Sequence, residues 1–274
     1  MITIIRNFDL GAKIGLGIVV LFLLAVFLGP LLSPYSEVEI VGNVWESPNA
    51  KHWLGTDNVG RDLMTRILTG GRMTVIISLM ATWGAFLIGC PLGIAAAVVG
   101  GWFELMVTRA VDALMAFPGL ILALIVLSAV GTSIPTLILM MSVLASTIVF
   151  RLTRAVAADI VAMDYVEVAR LRGENMRWFL FKEILPNVAP TLITEFGLRF
   201  VYAAILISSL SFLGIGIQPP LADLGGMVKE NALAVTFGRS APILPAVALS
   251  FLAIGVNLVV DGVLRHNARL DRPK

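Results

Sequence analysis

Few ionisable residues of this sequence lie inside its apolar runs, and Glu195 and Arg199 are the clearest exception. They carry opposite charges and stand four residues apart within the run 192–213. Side chains four residues apart lie on the same face of a helix, so these two can form an ion pair. If that helix crosses a membrane, an unpaired charge at its centre costs at least about 2.5–3.5 kcal/mol. The pair therefore either fixes its helix to a neighbour or lines a pathway that meets a charged or zwitterionic cargo.

The sequence lacks the residues that bind nucleotides and metal ions. A phosphate-binding P-loop requires a lysine followed by Ser or Thr, and none of the five lysines has such a neighbour. The two histidines, His52 and His266, are far apart, and the single cysteine, Cys90, excludes an internal disulfide. We expect no metal site and no bound cofactor in this chain, so any ATP hydrolysis has to come from another protein.

Two acidic residues near the ends of apolar runs have basic neighbours. Asp112 lies three residues after Arg109, and Asp261 lies four residues before Arg265. Both spacings suit an ion pair on one helix face. We predict two local ion pairs and no catalytic residue.

The composition is that of an integral membrane protein. Apolar residues make up 58% of the 274 residues and charged residues 14%, and the mean hydropathy is +0.93. Soluble domains contain about 45–50% apolar and about 25% charged residues. A membrane helix needs about 20 apolar residues, and the chain can supply six such runs. The net charge of +2 is too small to indicate a nucleic-acid partner.

Six apolar runs predict an all-α membrane protein with six transmembrane helices. The runs are 14–32, 75–99, 105–130, 134–150, 192–213 and 243–264. The first run is longer than a signal-peptide core of about 7–15 residues, so we predict an uncleaved helix. Pro118 predicts a kink in the third run. Residues 60–71 predict a short surface helix, with Arg66 outside its apolar face. Gly89 and Gly93, four residues apart, predict close packing of the second helix against another.

These runs divide the chain into an N-terminal helix with its loop (1–72), a core of membrane helices with the loop 151–190 (73–264) and a tail (265–274). Lys and Arg concentrate in the short cytoplasmic loops of membrane proteins. If the N-terminus is inside, the inner segments contain 13 basic residues and the outer segments contain 6. We therefore predict that both termini are cytoplasmic, and that the outer segment 214–242 is irregular because of its glycines and prolines.

The charged loop 151–190 has more organisation than a connector needs. It contains six basic and five acidic residues and no spanning run. Residues 165–171 predict a short helix that stops at Gly173, because glycine readily adopts the left-handed conformation. Residues 176–185 predict a second helix that ends at Pro186. Two short helices joined at a glycine form a compact knob that can dock into a groove on another protein.

This loop resembles the "EAA" loop of bacterial binding-protein-dependent ABC transporter permeases. The matching pattern is Glu167-Val168-Ala169, then Gly173 after three residues, then Leu185-Pro186 after eleven more. Val168 replaces the usual second alanine, and Glu183 stands where an apolar residue is common. The resemblance implies a role in coupling to an ATPase for Tyr165, Glu167, Val168, Ala169, Gly173, Leu185 and Pro186.

Three further segments resemble the second, C-type permease subunit of dipeptide, oligopeptide and nickel importers. They are His52–Asp62 (HWLGTDNVGRD), Leu210–Pro220 (LSFLGIGIQPP) and Asn257–Gly262 (NLVVDG). The resemblance implies the type I ABC importer permease fold, with a cytoplasmic helical coupling loop, in the bacterial inner membrane. It also implies a heterodimer with a homologous permease, two ATPase subunits that bind ATP and Mg²⁺, and a periplasmic or lipoprotein solute-binding protein.

A proton- or ion-coupled secondary transporter is the alternative. Such carriers often show internal repeats and isolated buried acids. No half-to-half repeat is apparent in this sequence, and the loop 151–190 would have no role in such a carrier. Peptides, a nickel chelate and other small solutes all stay open as the cargo.

Overall fold

The computed structural model describes residues 9–175, 178, 182 and 184–270, with the backbone alone at 165, 167, 169, 170 and 266–270. Its α-helices are α1 (Leu10–Leu32), α2 (Leu63–Val99), α3 (Gly101–Met115), α4 (Gly119–Val130), α5 (Ile134–Val161), α6 (Asp164–Leu171), α7 (Leu185–Leu213), α8 (Leu224–Glu230) and α9 (Ile243–Leu270). A 3-10 helix, Ala232–Phe237, follows α8. The predicted all-α membrane fold is confirmed.

Five of these helices, α1, α2, α5, α7 and α9, are long and apolar enough to cross a membrane. Helices α3 and α4 meet the same test together, but they are bent by 86° where they join. Pro118 lies at this junction and disfavours a helical conformation at Phe117 before it. The predicted kink in the third run is therefore a sharp break between two helices.

The broken helix returns the chain across the bundle, because α2 and α5 on either side of it run parallel. Early in both helices, Ser142 Oγ of α5 donates a hydrogen bond to Ala81 O of α2 at 3.1 Å. Farther along both, a Cβ at Gly93 of α2 would lie 2.9 Å from Thr153 Cβ of α5. Two parallel neighbours cross in the same direction, so α3 and α4 must bring the chain back between them. The described residues thus contain five long apolar helices and one bent pair, which make the six crossings that the apolar runs predicted if the pair counts as one span.

Glycines allow the closest contacts between helices. A Cβ at Gly89 of α2 would lie 2.8 Å from Ser146 O of α5, and one at Gly15 of α1 would lie 2.5 Å from Leu258 Cβ of α9. A larger residue at either position would push the two helices apart. The contact at Gly89 confirms the close packing that its spacing with Gly93 predicted.

The two described ends of the chain lie at the same end of the bundle. Helices α1 and α9 are antiparallel, since Gly262 of α9 lies beside Ala12 of α1 while Gly15 lies beside Leu258. Residues 33–62, α8 and the 3-10 helix lie at the opposite end. We call this second group the cap.

Several predicted helix boundaries were wrong. The surface helix at 60–71 does not exist as a separate element, because α2 begins at Leu63 and continues to Val99 through the predicted domain boundary at 72–73. Helix α7 begins at Leu185 rather than at 192, with Pro186 in its first turn, where the missing N–H costs no hydrogen bond. The segment after Gly214 is not irregular throughout, since Asp223 caps α8 by accepting hydrogen bonds from Gly225 N and Gly226 N.

The predicted partners of two ion pairs were also wrong. Asp112 Oδ1 lies 2.5 Å from Arg151 Nη2, not beside Arg109, and Arg265 Nη1 lies 2.8 Å from Asp9 Oδ2, not beside Asp261. Both bonds join different helices, which local spacing cannot reveal. Helix α5 also continues past the predicted end at 150 to Val161.

Candidate functional site

The short helix predicted in the charged loop is present. Helix α6 spans Asp164–Leu171, one residue more than predicted. Gly173 has a φ of +78°, and Arg172 N donates to Val168 O at 3.1 Å, so the helix ends in the predicted left-handed stop. A Cβ at Gly173 would meet no atom within 4 Å. Only the backbone conformation, and not crowding, therefore requires glycine here.

Among the side chains that the structure describes, helix α6 is attached through Val166. Val166 is buried in a cluster with Ala157 and Ile160 of α5 and Val188 of α7. On other faces, Val168 and Leu171 are 54% and 83% exposed. An apolar residue this exposed outside a spanning segment marks a surface that another protein can cover.

The remaining predicted coupling residues divide between two regions. The side chains of Tyr165, Glu167 and Ala169 lie outside the described residues, and so does most of the predicted second helix at 176–185. Leu185 and Pro186 begin α7, where Leu185 packs against the cluster around Val166. The structure thus places Val166 and Leu185, from the two ends of the loop, in one apolar cluster.

The ion pair predicted in the fifth run is formed. Arg199 Nε lies 2.7 Å from Glu195 Oε1, and the two side chains are 17% and 13% exposed. The Arg199 guanidinium also lies 5.6 Å from the centre of the Tyr202 ring. Since α7 begins at Leu185, Arg199 lies about 21 Å along a helix of about 43 Å, deeper than the start at 192 implied.

Of these three residues, Tyr202 lies beside the break between α3 and α4. Tyr202 is 44% exposed, and its hydroxyl lies 3.7 Å from the position of a Cβ at Gly119, the first residue of α4. Among the described residues, neither Glu195 nor Arg199 bonds to another helix. The pair therefore neutralises itself within α7 and leaves a polar, partly open strip beside the break.

The cap contains a buried ionic cluster that the sequence did not reveal. Arg66 Nη1 lies 2.6 Å from Asp57 Oδ2 and 2.7 Å from Glu230 Oε2, and Arg61 contacts the same two carboxylates. Side chains of Arg66 and Asp57 are 1% and 0% exposed. The cluster connects the loop before α2, the first turn of α2 and the end of α8.

Hydrogen bonds extend this connection and shift two pKa values. Burial opposes ionisation of Asp57, but hydrogen bonds from the Arg61 and Val59 backbone and from the Arg61 side chain outweigh it and hold the pKa below its ordinary value. At Asp223, burial prevails over the hydrogen bonds it accepts and raises the pKa to about 6. Trp45 Nε1 donates to Asn231 Oδ1 at 3.2 Å, which ties the loop to the 3-10 helix.

Only half of this cluster had a signal in the sequence. Asp57 and Arg61 are four residues apart and lie in the segment His52–Asp62, whereas Glu230 lies far along the chain. Arg66 was assigned to a surface helix, although its side chain is almost completely buried. Within the described residues, no three His, Cys, Asp or Glu side chains are arranged to hold a metal ion.

This chain is similar over most of its length to permease proteins of transport systems. Residues 89–270 match the family described as "binding-protein-dependent transport system inner membrane component". The chain is 32% identical to the glutathione transport system permease protein GsiD of Pectobacterium atrosepticum, over 90% of this chain and 83% of that protein. It is 30% identical to the dipeptide transport system permease protein DppC of Alkalihalophilus pseudofirmus, over 92% and 83%. The chain belongs to this family.

It is therefore a permease subunit of an ATP-binding-cassette (ABC) importer, a multi-pass protein of the inner membrane that works with ATPase and substrate-binding partners. A putative peptide transport system permease of Brucella suis is a further relative, 32% identical over 92% of this chain and 85% of its own length. Family membership supports the importer and not the secondary transporter.

Proposed function

We propose that this permease imports peptides or a related small solute, as the second, C-type subunit of a heterodimer with a homologous permease. Support comes from relatives whose names give dipeptides, glutathione or peptides as cargo, and which align over 90–92% of the chain. Because those cargoes differ, the similarity supports small peptides as the class of cargo and does not identify one peptide. A periplasmic or lipoprotein solute-binding protein delivers the cargo.

The observation that carries the coupling mechanism is the one-sided attachment of α6. Its exposed Val168 and Leu171 enter a groove of an ATPase subunit, and the two ATPase subunits bind ATP and Mg²⁺. When the ATPases close, α6 moves with them. Val166 transmits that movement to the ends of α5 and α7, because it is buried between them. The helices then open the pathway to one side of the membrane and close it to the other.

This mechanism requires α6 and both termini in the cytoplasm and the cap outside. The bias of basic residues, 13 against 6, supports that orientation. The structure puts α6 and the Asp9–Arg265 pair far from the cap along the helices, which agrees with it. The solute-binding protein then approaches from the side of the cap.

Transport by the complete complex tests this function. The chain is co-purified with its partner permease and ATPases and placed in proteoliposomes with ATP and Mg²⁺ inside, and the solute-binding protein is added outside. Uptake of a labelled dipeptide should require ATP and the binding protein and should survive an ionophore that collapses proton and sodium gradients. Uptake that stops with the ionophore but not without ATP would contradict the importer mechanism.

We further propose that Glu195, Arg199 and Tyr202 line the translocation pathway and meet the charged ends of the cargo. The pair bonds to no other helix in the described part of the chain, which favours a pathway role over one that fixes α7 to a neighbour. It also lies midway along α7 and beside the break at Gly119, where irregular backbone can border a polar cavity. A zwitterionic peptide carries the same two charges that the strip presents.

Two double substitutions separate a pathway role from a structural one. Glu195→Leu with Arg199→Leu should leave the complex intact but reduce uptake of a free dipeptide more than that of an end-capped neutral one. Exchanging the charges, Glu195→Arg with Arg199→Glu, keeps the ion pair and is the matched control. Poor assembly of the Leu variant but normal assembly of the exchanged variant would instead show a structural pair.

A further inference from the structure

A cleft of about 640 Å³ opens where α1 ends, between α1, the first turns of α2 and the cap. Its apolar wall is formed by Leu32 of α1 and by Met64 and Leu68 of α2. Leu32 is also 83% exposed, and Leu28 and Leu31 beside it on α1 are exposed as well. Among the spanning helices of the described residues, α1 is the least buried, so these leucines lie on the outer surface of the single chain. The cleft is therefore a recess in that outer surface.

The rim of the cleft nearer the cap is polar and aromatic. Trp53 is 68% exposed there, beside Tyr35 and Lys51. Trp and Tyr are enriched where a membrane protein passes from the acyl chains to the headgroups. The rim thus has the composition of the headgroup level, and the leucine wall has that of the acyl level.

The charges at the rim leave one free cation. Asp62 lines the cleft, but its carboxylate already accepts hydrogen bonds from Thr65 N at 2.8 Å and Thr65 Oγ1 at 2.7 Å, and its other oxygen lies 3.1 Å from His52 Nδ1. Within the described part of the chain, no carboxylate forms an ion pair with Lys51. The rim therefore presents an unpaired ammonium group beside a carboxylate that is already occupied.

We propose that this cleft binds one anionic phospholipid. The phosphate lies at Lys51, the glycerol level at Trp53 and Tyr35, and one acyl chain along Leu32, Met64 and Leu68. A lipid fits better than a transported solute because the cleft lies at the end of α1, away from the proposed pathway strip on α7 beside the start of α4. The bound lipid would fill the space between α1 and the cap and so support the cap from the membrane side.

Native mass spectrometry of the purified complex tests the site. The complex is extracted from nanodiscs that contain phosphatidylglycerol and phosphatidylcholine in equal amounts, and retained lipids are counted. Lys51→Gln should lower phosphatidylglycerol retention at this site roughly fivefold, the effect of one lysine on an anionic lipid, whereas Lys51→Arg should preserve it. Lys229→Gln removes a charge from the cap outside the cleft and is the matched control, with no expected change.

A second substitution tests the acyl part. Met64→Trp should fill the wall and abolish retention of this lipid, whereas Met64→Leu should not. Equal retention of phosphatidylglycerol by Lys51→Gln and Lys229→Gln, or equal retention of both lipids by the unmodified complex, would overturn the proposal. Because lipids and not transport are counted, a negative result here leaves the proposed import function intact.

Discussion

The cap contains a buried ion pair, whereas the opposite end of the molecule, which includes α6 and is called the α6 end, contains an exposed one. In the cap, Arg66 and Asp57 are 1% and 0% exposed and bond to each other. At the other end, Arg151 and Asp112 also form a pair, but their side chains are 48% and 38% exposed. Removing one partner of a buried pair costs about 3–5 kcal/mol, whereas an exposed pair contributes about 0–1 kcal/mol. The cap is thus built to keep one arrangement, and the α6 end is not.

The difference follows the proposed division of labour. An element that transmits movement from an ATPase must change its contacts, so exposed pairs and a helix attached by one face suit it. A cap that keeps three chain segments together must not come apart while the helices below it move. Its cluster of two arginines and two carboxylates provides that rigidity, because separating these groups would leave buried charges without an oppositely charged partner.

The largest effect should come from breaking the buried cluster. Arg66→Met leaves Asp57 and Glu230 with Arg61 alone, and should cost about 3–5 kcal/mol of stability. The thermal unfolding midpoint of the purified complex, together with abundance in the membrane, measures this. Arg151→Met is the matched control at the other end and should cost less than about 1 kcal/mol. Equal losses from the two substitutions would mean that the two ends do not differ as described.

The next effect separates backbone strain from coupling. Gly173→Val should cost about 1–2 kcal/mol because a side chain disfavours the left-handed conformation, and it should misdirect the chain after α6. Gly238, at the end of the 3-10 helix, has a φ of +68° and equally open space, so Gly238→Val carries similar strain in the cap. We expect ATP-driven uptake to fall sharply only in Gly173→Val, with ATPase activity less responsive to the binding protein.

The Gly238→Val control decides how a loss of uptake in Gly173→Val is interpreted. If both glycine variants lose uptake to the same extent at equal abundance, strain alone explains the loss. If Gly173→Val transports normally, α6 does not couple the permease to ATP.

How far these two ends could be predicted depended on the range of the interactions. The stop at Gly173 was predicted correctly, because a left-handed glycine after a helix is a local property. The start of α2 was not, because Arg66 and Asp62 make the first turn look like a solvent-exposed segment until their partners are known. Glu230 could not be assigned to the cluster at all, since its bond to Arg66 crosses more than half of the chain.

The membrane helices show the same contrast. Apolar runs predicted six crossings, because the cost of burying backbone in lipid depends on local composition. The break at Pro118 was predicted only as a kink, since its angle is set by how α3 and α4 pack on α5. Pairs such as Asp112 with Arg151 likewise follow from packing and not from spacing.

A smaller measurement fixes which end faces the cytoplasm. Val38 in the cap is 51% exposed and Leu171 in α6 is 83% exposed, whereas Cys90 is buried. A cysteine at either exposed position should react with a membrane-impermeant thiol reagent, and Cys90 should stay unreactive as an internal control. We expect Val38→Cys to react in intact spheroplasts, and Leu171→Cys to react only in inverted vesicles from cells that lack the ATPase subunits, where no ATPase covers α6. The reverse pattern would place α6 outside and remove it from contact with the ATPases.

The smallest expected effect distinguishes two acids within the cap. Burial raises the pKa of Asp223 to about 6 from an ordinary value of 3.8, so between those values the folded cap binds more protons than the unfolded chain. Stability should therefore fall as the pH rises through this window. Asp57, whose pKa is lowered, has the opposite effect on stability, at pH values below the same window.

Asp223→Asn keeps an acceptor for Gly225 N and Gly226 N but cannot ionise, so its unfolding midpoint should change less than that of the unmodified complex between about pH 4.5 and pH 7. Parallel pH profiles for the two proteins would show that Asp223 does not carry this dependence.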